Sequence, residues 1–240
     1  AINENVLENI HFQLLQGEVL GLLGRTGSGK TTLTRLLFRL YDPQSGKISL
    51  KTDLDEDGFV DIRQLALPVL RNQIGMVTQS IELFHASVRD NLTFFDTAIP
   101  DEKILDVIHE LGLSHWFAGL KNGLDTLLES GNAGLSAGEA QLLAFSRIFL
   151  KDPGIVVLDE ASSRLDPATE HMIEKAVDRL IAGRTALVIA HRLKTVQRAD
   201  KILILENGRI IEFGERKALE LDPHSKFSSL LQAGMDEVLE

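Results

Sequence analysis

The sequence has no cysteine, which removes disulfide staples, thiolate catalysis and cysteine-bound metal and suits a reducing compartment. No apolar run is long enough to span a bilayer, so nothing in it reads as membrane-embedded. Positive charge is in deficit: 25 Lys and Arg against 35 Asp and Glu leave a net charge of −10. That balance argues against a nucleic-acid surface, because duplex binding rests on basic patches that neutralise phosphates. Ala1 is not an initiator Met and no signal-peptide pattern follows it, so the chain reads as a processed or excised piece of something longer. What remains is ordinary for a globular domain, 44% hydrophobic and 25% charged over 240 residues, and long enough to bury a core without crosslinks.

One stretch carries a chemistry by itself. Gly24 to Thr32, GRTGSGKTT, fits G-x-x-x-x-G-K-[ST] at every fixed position, with the apolar run Val19–Leu23 before it and the helix-like TLTRLLFRL of Thr32 to Leu40 after it. Gly24, Gly27 and Gly29 let the backbone turn tightly and aim its N–H groups inward, and the helix N-terminus adds its positive end. Arg25, Thr26, Ser28 and Thr32 complete this phosphate cradle. Lys30 is expected to reach the β- and γ-phosphates and the Thr31 hydroxyl to ligate Mg²⁺.

Three further strands deliver polar groups at their ends. Gln73 to Gln79 (QIGMVTQ) reads as a buried strand ending in Gln79, where open α/β sheets place ligand-binding groups. Ile155 to Leu158 is a continuous apolar run, the mark of a parallel strand covered on both faces, and it ends in Asp159 and Glu160. Downstream of a P-loop, such paired acids point to phosphoryl transfer: Asp159 holds Mg²⁺ and Glu160 orients or deprotonates the attacking water. Thr185 to Ala190 is another buried strand, and it delivers His191. His85, His109, His115, His171 and His224 have loop or helix contexts and read as surface residues. Lys30, Gln79, Asp159, Glu160 and His191 are therefore expected at the carboxyl edge of one mainly parallel sheet, in an α/β P-loop NTPase core.

The rest of the chain fills in around this core. Ile10 to Leu23 reads as two short strands broken at Gln16-Gly17-Glu18, and Gly46 to Leu50 as a strand, giving an N-terminal antiparallel β-subdomain. Asp53, Asp55, Asp57, Gly58 and Asp61 match the first half of an EF-hand loop, but Gln64 stands at the twelfth position and cannot give the bidentate carboxylate. An acidic hairpin turn on Asp57-Gly58 is the plainer reading. Leu65 to Arg71 reads as helical. From Ser87 to Leu150 the apolar spacing is helical, which predicts an inserted α-helical subdomain over about residues 82–150, with Trp116 and its phenylalanines in the core. Pro167 starts a helix that stops at Gly183. Arg198 to Leu205 and Gly208 to Phe213 flank an Asn207-Gly208 hairpin turn, and an amphipathic helix closes the chain.

In this order the motifs resemble those of the nucleotide-binding domain of ATP-binding-cassette (ABC) transporters. GRTGSGKTT is similar to the Walker A loop, MVTQS to the Q-loop, LSAGEAQ at Leu135 to Gln141 to the signature, IVVLDEAS to Walker B, SRLD at Ser163 to Asp166 to the D-loop, and AHRL around His191 to the switch histidine. The segments LFHASVRDNL, ESGNAG and RADKILILENGRIIEFG resemble the exporter branch. The resemblance implies one nucleotide-binding domain over residues 1–240, a Mg²⁺-dependent ATPase whose catalytic residues are Glu160, His191 and Gln79 and whose metal site draws on Thr31, Gln79 and Asp159. It implies a second nucleotide-binding domain paired head to tail, so that Leu135, Ser136, Ala137, Gly138 and Glu139 meet the partner's ATP, with Ser136 and Gly138 on its γ-phosphate. It further implies transmembrane domains as partners and a place on the cytoplasmic face of a membrane, the isolated domain being soluble. An ABC-type ATPase acting as a nucleotide-dependent interaction switch without transport is the alternative.

The sequence departs from the family pattern at three places. Ala137 and Glu139 replace a glycine and the glutamine of the common LSGGQ, and Glu139 adds negative charge near a polyphosphate. The family's adenine-stacking aromatic has no counterpart before the P-loop except Phe12, which reads as strand core in FQLL. Asp53 to Asp57 is longer than the family's usual turn.

Overall fold

The structure is a computed structural model in which residues 6–52, 58–78, 82–128, 135–159, 166–190 and 193–233 are described. The strands are β1 (Val19–Leu23), β2 (Ser49–Lys51), β3 (Phe59–Asp61), β4 (Ile74–Val77), β5 (Ala86–Ser87), β6 (Leu127–Leu128), β7 (Ile155–Asp159), β8 (Thr185–Ile189), β9 (Lys201–Glu206) and β10 (Arg209–Glu215). The α-helices are α1 (Lys30–Leu37), α2 (Leu67–Gln73), α3 (Val88–Thr93), α4 (Asp101–Glu110), α5 (Ser114–Ala118), α6 (Ala137–Lys151), α7 (Pro167–Ile181), α8 (Leu193–Gln197), α9 (Arg216–Leu221) and α10 (Lys226–Ala233). The chain divides into two compact units, one made of Ala1–Ile74 with Thr185–Glu240 and the other of Gly75–Arg184.

In the first unit the strand order is β10-β9-β1-β8. β1 is parallel to both neighbours, with Leu20 opposite Leu187 on one side and Lys201 on the other. Its five residues are all buried, which is what an uninterrupted VLGLL run in a covered parallel sheet requires. β10 closes the sheet as an antiparallel edge, and its residues alternate between exposed and half-buried, the period of a strand with one face in water. The hairpin between β9 and β10 turns on Asn207 and Gly208, whose φ values of 49° and 74° are the two positive angles a type I′ turn demands. A separate antiparallel pair joins β2 to β3 with Lys51 opposite Phe59. A mostly parallel sheet with a separate antiparallel ladder is the expected α/β class.

Two expectations shift in this unit. Ile10 to Leu15 alternates in exposure as a strand does, but it forms no ladder among the described residues; Phe12 instead leans on Phe213, ring centroids 5.9 Å apart. Helix α1 stops at Leu37 rather than Leu40, because the chain turns left-handed at Arg39, φ 48°. The acidic stretch 53–57 lies outside the described residues. Beside it, Asp61 is already engaged by Arg63 at 2.6 Å and accepts the Arg63 backbone N–H, and that guanidinium holds its carboxyl below the usual carboxylate range. The C-terminal helix α10 buries Phe227, Ser228 and Leu230, and its start is tied down by Glu212, which accepts the Phe227 N–H at 2.7 Å.

In the second unit β7 runs beside β4, and Val156 and Val157 are fully buried. Helix α6 starts at Ala137, within the stretch of helical spacing, and is buried from Ala140 through Ser146. It ends where Asp152 turns left-handed, φ 50°. Helix α7 begins at Pro167, the position that the missing proline N–H favours. Between residues 82 and 128 the chain is helical in α3, α4 and α5, but a short β5–β6 ladder pairs Ala86 with Leu128. Phe145 is core, 2% exposed, whereas Phe94 and Phe95 are 56% and 54% exposed, so the core assignment fails for those two. The reason is local: α3 ends at Thr93 and both phenylalanines have positive φ, 52° and 65°, which turns them off the helical face. Trp116 is half-buried.

Candidate functional site

The P-loop is a strand-to-helix turn in the first unit. Gly24, Gly27 and Gly29 take φ values of 148°, 82° and 109°, all in the region that side chains avoid. A methyl group on Gly24 would meet Ser28 Oγ at 2.6 Å, and one on Gly29 would meet the Leu7 side chain at 2.5 Å. The Ser28 N–H closes a turn onto the Arg25 carbonyl at 3.0 Å. Arg25, Thr26 and Gly27 form the exposed rim, while Gly24, Ser28, Gly29 and Lys30 are buried beneath it. Thr31 is exposed and Thr32 half-buried on the first turn of α1.

This loop is shaped for an anion. No side chain caps the N-terminus of α1, so the positive end of the helix is left to a ligand. Ser28 Oγ is the one buried side-chain polar atom among the described residues that has no hydrogen-bond partner. A buried hydroxyl left unpaired costs about 1–3 kcal/mol, and a phosphate oxygen would remove that cost. The Lys30 ammonium bonds the Gly24 carbonyl and, at 3.0 Å, the Arg25 carbonyl. With Lys30 8% exposed, the cradle holds its cation in place. A bound polyphosphate fits these residues, and Thr31 supplies the hydroxyl that a divalent cation on that phosphate would use.

The floor of the loop is braced from the Asn207-Gly208 turn. The Gly208 N–H donates to the Ser28 carbonyl at 3.1 Å, and the Gly208 carbonyl accepts the Glu8 N–H at 2.8 Å. Arg209 adds an ion pair to Glu8 at 2.7 Å. The sequence signalled the hairpin but not its contact with the P-loop, because the two are far apart along the chain.

In the second unit Asp159 is the last residue of β7 and half-buried. Asp166 caps α7, accepting the N–H groups of Ala168 and Thr169 at 3.1 and 3.0 Å. The Thr169 hydroxyl and these amides hold its carboxyl below the usual carboxylate range. At the start of α6 Ser136 is the N-cap: its hydroxyl accepts the Glu139 N–H at 3.2 Å, and the Glu139 carboxylate accepts the Ser136 N–H at 2.8 Å. This is a reciprocal capping box, with Leu135 half-buried just before it. Ala137 and Gly138 occupy the first helical turn between the two partners. Gln79, Glu160 and His191 lie outside the described residues. His85, His109, His115, His171 and His224 are exposed, as expected.

Sequence reasoning passed over Asn91 and Arg147. Asn91 is fully buried; its side chain accepts the Phe84 N–H at 2.8 Å and donates to the Phe84 and Ser87 carbonyls at 3.0 Å. Arg147 donates to the Asn91 and Glu82 carbonyls at 2.8 and 3.0 Å and lies over the Phe94 ring, 4.8 Å from its centroid. Burial lowers the pKa of this guanidinium. With Phe84 and Phe94 it lines a cavity of about 220 Å³, floored by Met76, Val77 and Ile148. A buried Asn inside the exporter-like LFHASVRDNL was the available signal.

The sequence model of the ABC transporter family matches residues 7–163. The alpha-hemolysin translocation ATP-binding protein HlyB of Proteus vulgaris is 38% identical over 234 residues, which is 96% of this chain and 32% of that protein. The ATP-dependent lipid A-core flippase of Alcanivorax borkumensis is 37% identical over 97% of this chain and 39% of its own length. Among solved structures, a bacterial Atm1-family ABC exporter with ATP bound superposes with a TM-score of 0.83 at 30% identity, covering 97% of this chain and 39% of that one. The chain thus spans about a third of the length of these relatives.

Proposed function

The chain belongs to the ABC transporter family, and from that premise we propose that it is the motor domain of an exporter, coupling its ATPase chemistry to substrate translocation. ATP binds on Gly24 to Thr32, with Lys30 on the β- and γ-phosphates. Mg²⁺ is held by Thr31, Asp159 and Gln79. Glu160 orients or deprotonates the attacking water, and His191 stands by the γ-phosphate. The observation that carries this reading is the cradle itself: the buried Ser28 hydroxyl without a protein partner, beside an uncapped helix N-terminus and an inward-held lysine.

The signature residues Leu135 to Glu139 serve a second nucleotide-binding domain, head to tail, so ATP joins the two and hydrolysis releases them. Transmembrane domains dock on the exposed rings of Phe84, Phe94 and Phe95 around Arg147. Three aromatics that are 42% to 56% exposed, packed edge to face on one another, form the kind of patch that marks a protein interface. Among the described residues no helix is long and apolar enough to cross a membrane, so translocation requires those partner segments. The proposed place of action is the cytoplasmic face of a membrane.

The test is ATP titration of Glu160→Gln followed by light scattering after size exclusion. Hydrolysis stops while ATP-dependent dimers accumulate. Brisk turnover by that variant would remove Glu160 from the mechanism, and a variant that stays monomeric at saturating ATP, alone and with candidate partner domains, would remove the head-to-tail reading.

A further inference from the structure

Arg147 is a half-buried cation that no carboxylate answers. Its Nε donates to the Asn91 carbonyl at 2.8 Å, and its Nη2 to the Glu82 carbonyl at 3.0 Å and the Asn91 side chain at 3.4 Å. Nη1 carries two of the five N–H donors of a guanidinium, and nothing among the described residues accepts either one. Glu82 lends Arg147 its backbone oxygen, not its carboxylate. The Phe94 ring covers the face of the cation, 4.8 Å from centroid to guanidinium carbon, and supplies attraction without a negative charge. Nη1 is open to solvent, since Ser28 Oγ is the one partnerless side-chain polar atom sealed off among the described residues.

The cavity that Arg147 lines has a volume of about 220 Å³, with Met76, Val77 and Ile148 beneath it and Phe84 and Phe94 beside it. All of these residues belong to one compact unit. The volume lies below the roughly 300 Å³ at which small-molecule pockets begin, and it suits one side chain of a partner. Glu82 is the only acidic residue among those lining the cavity, and it is exposed. An apolar cavity with one cation at its edge selects an apolar stem with an anionic tip, because a charge-assisted bond is strongest where water is excluded. This chain spans about a third of the length of its relatives, so the segment that carries such a tip belongs to the part beyond it.

We propose that this cavity is a socket for a carboxylate: the transmembrane segment that docks on the aromatic patch inserts one acidic side chain, whose carboxylate accepts the Nη1 N–H groups of Arg147. The inference rests on the docking reading given above and adds to it the chemistry of the occupant. The stem of that side chain lies against Met76 and Ile148. The exposed rings grip any apolar surface, whereas a single half-buried cation rewards only the register that brings an anion to it. The pair therefore sets where the segment sits, and a misplaced segment leaves the charge unmatched.

The probe is 4-phenylbutyrate, an apolar body with a carboxylate, set against its neutral amide. Each is titrated into this chain at low salt while the Met76 methyl and Arg147 Nε–H resonances are followed by NMR. The expected result is that the acid moves both resonances and binds about tenfold more tightly than the amide, a margin that narrows as salt is added. Arg147→Lys keeps the preference, because the charge remains, and Arg147→Gln abolishes it, so that acid and amide move the Met76 methyl alike. Equal affinities in the unmodified chain overturn the socket and leave an apolar docking face. Binding of neither probe removes the socket and the docking face together. A preference for the acid that survives Arg147→Gln takes the cation out of the site, and inorganic phosphate that moves the Arg147 resonance as far as the acid does overturns the side-chain occupant. Should Arg147→Gln fail to fold, the salt titration of the unmodified chain and of Arg147→Lys decides the question: a preference that ignores salt in both overturns the pairing.

Discussion

Replacing Gly208 with alanine should unseat the P-loop from a distance. Gly208 has φ 74°, and a methyl group there would overlap the Val6 carbonyl oxygen and lie 2.9 Å from its carbon and 3.4 Å from Leu7 Cα. The left-handed backbone alone costs about 1 kcal/mol with a Cβ present. Relieving the overlap requires residues 6–8 to move away, which breaks the bond from the Glu8 N–H to the Gly208 carbonyl, for about another 1 kcal/mol. The exposed Glu8–Arg209 pair adds little. The sum is about 2–3 kcal/mol, or a fall in Tm of about 4–12 °C for a chain of this size. Gly46 gives the control: its φ is 80° and nothing lies within 4 Å of a built Cβ, so Gly46→Ala should cost only the backbone term, about 1 kcal/mol. Because the Gly208 N–H also holds the Ser28 carbonyl, Gly208→Ala should weaken ATP binding in calorimetry while Gly46→Ala leaves it unchanged. Equal melting shifts in the two variants, with equal ATP affinity, would refute the argument that the hairpin braces the loop.

Lys30→Ala should weaken ATP binding by about 10- to 100-fold, the worth of a hydrogen bond to a charged group, and undiminished affinity in calorimetry would count against the cradle. Glu139→Gln keeps the capping box, since Gln serves at that position as well as Glu, but removes a negative charge from the start of the signature helix. It should lower the ATP concentration for half-maximal dimerisation by about threefold, and the gain should shrink as salt is added; an unchanged midpoint at low salt would show the charge to be silent. Asp166→Ala should lower Tm at neutral pH by uncapping α7. Its folded carboxyl is held below the usual carboxylate range, so the stability it adds is full above that range and is lost as pH falls through it to the lowered folded value. The gap between the variant and the unmodified chain should therefore close in acid, and a gap that persists at low pH would mean that the charge of Asp166 is not what caps.

Local chemistry was legible in the sequence wherever one stretch held both the signal and its cause. The apolar run before GRTGSGKTT is β1, the run after it is α1, and Asn207-Gly208 makes the turn its residue types demand. Pro167 opens α7 as read, and α6 falls within the stretch whose apolar spacing is helical. Ser136 and Glu139 stand at the spacing of a capping box, and in the structure Glu139 is a cap as well as a charge. What local pattern could not supply were pairings whose partner lies elsewhere. Ile10 to Leu15 has a strand's alternation but finds no ladder among the described residues, and the two-residue strands β5 and β6 are too short to leave any period. Phe94 and Phe95 continue the helical spacing on paper, yet the helix ends before them. The contact of Gly208 with Ser28 depends on hairpin placement and has no sequence signature at all.

Lys30 is held by the carbonyls of Gly24 and Arg25, so a phosphate that reached the ammonium would share its three N–H groups with the loop itself. A phosphate oxygen that drew the lysine off a loop carbonyl would leave that carbonyl unpaired, at a cost the loop recovers by taking the ammonium back. A loop that pairs its own cation keeps that charge buried at the start of the helix, where a polyphosphate would need it.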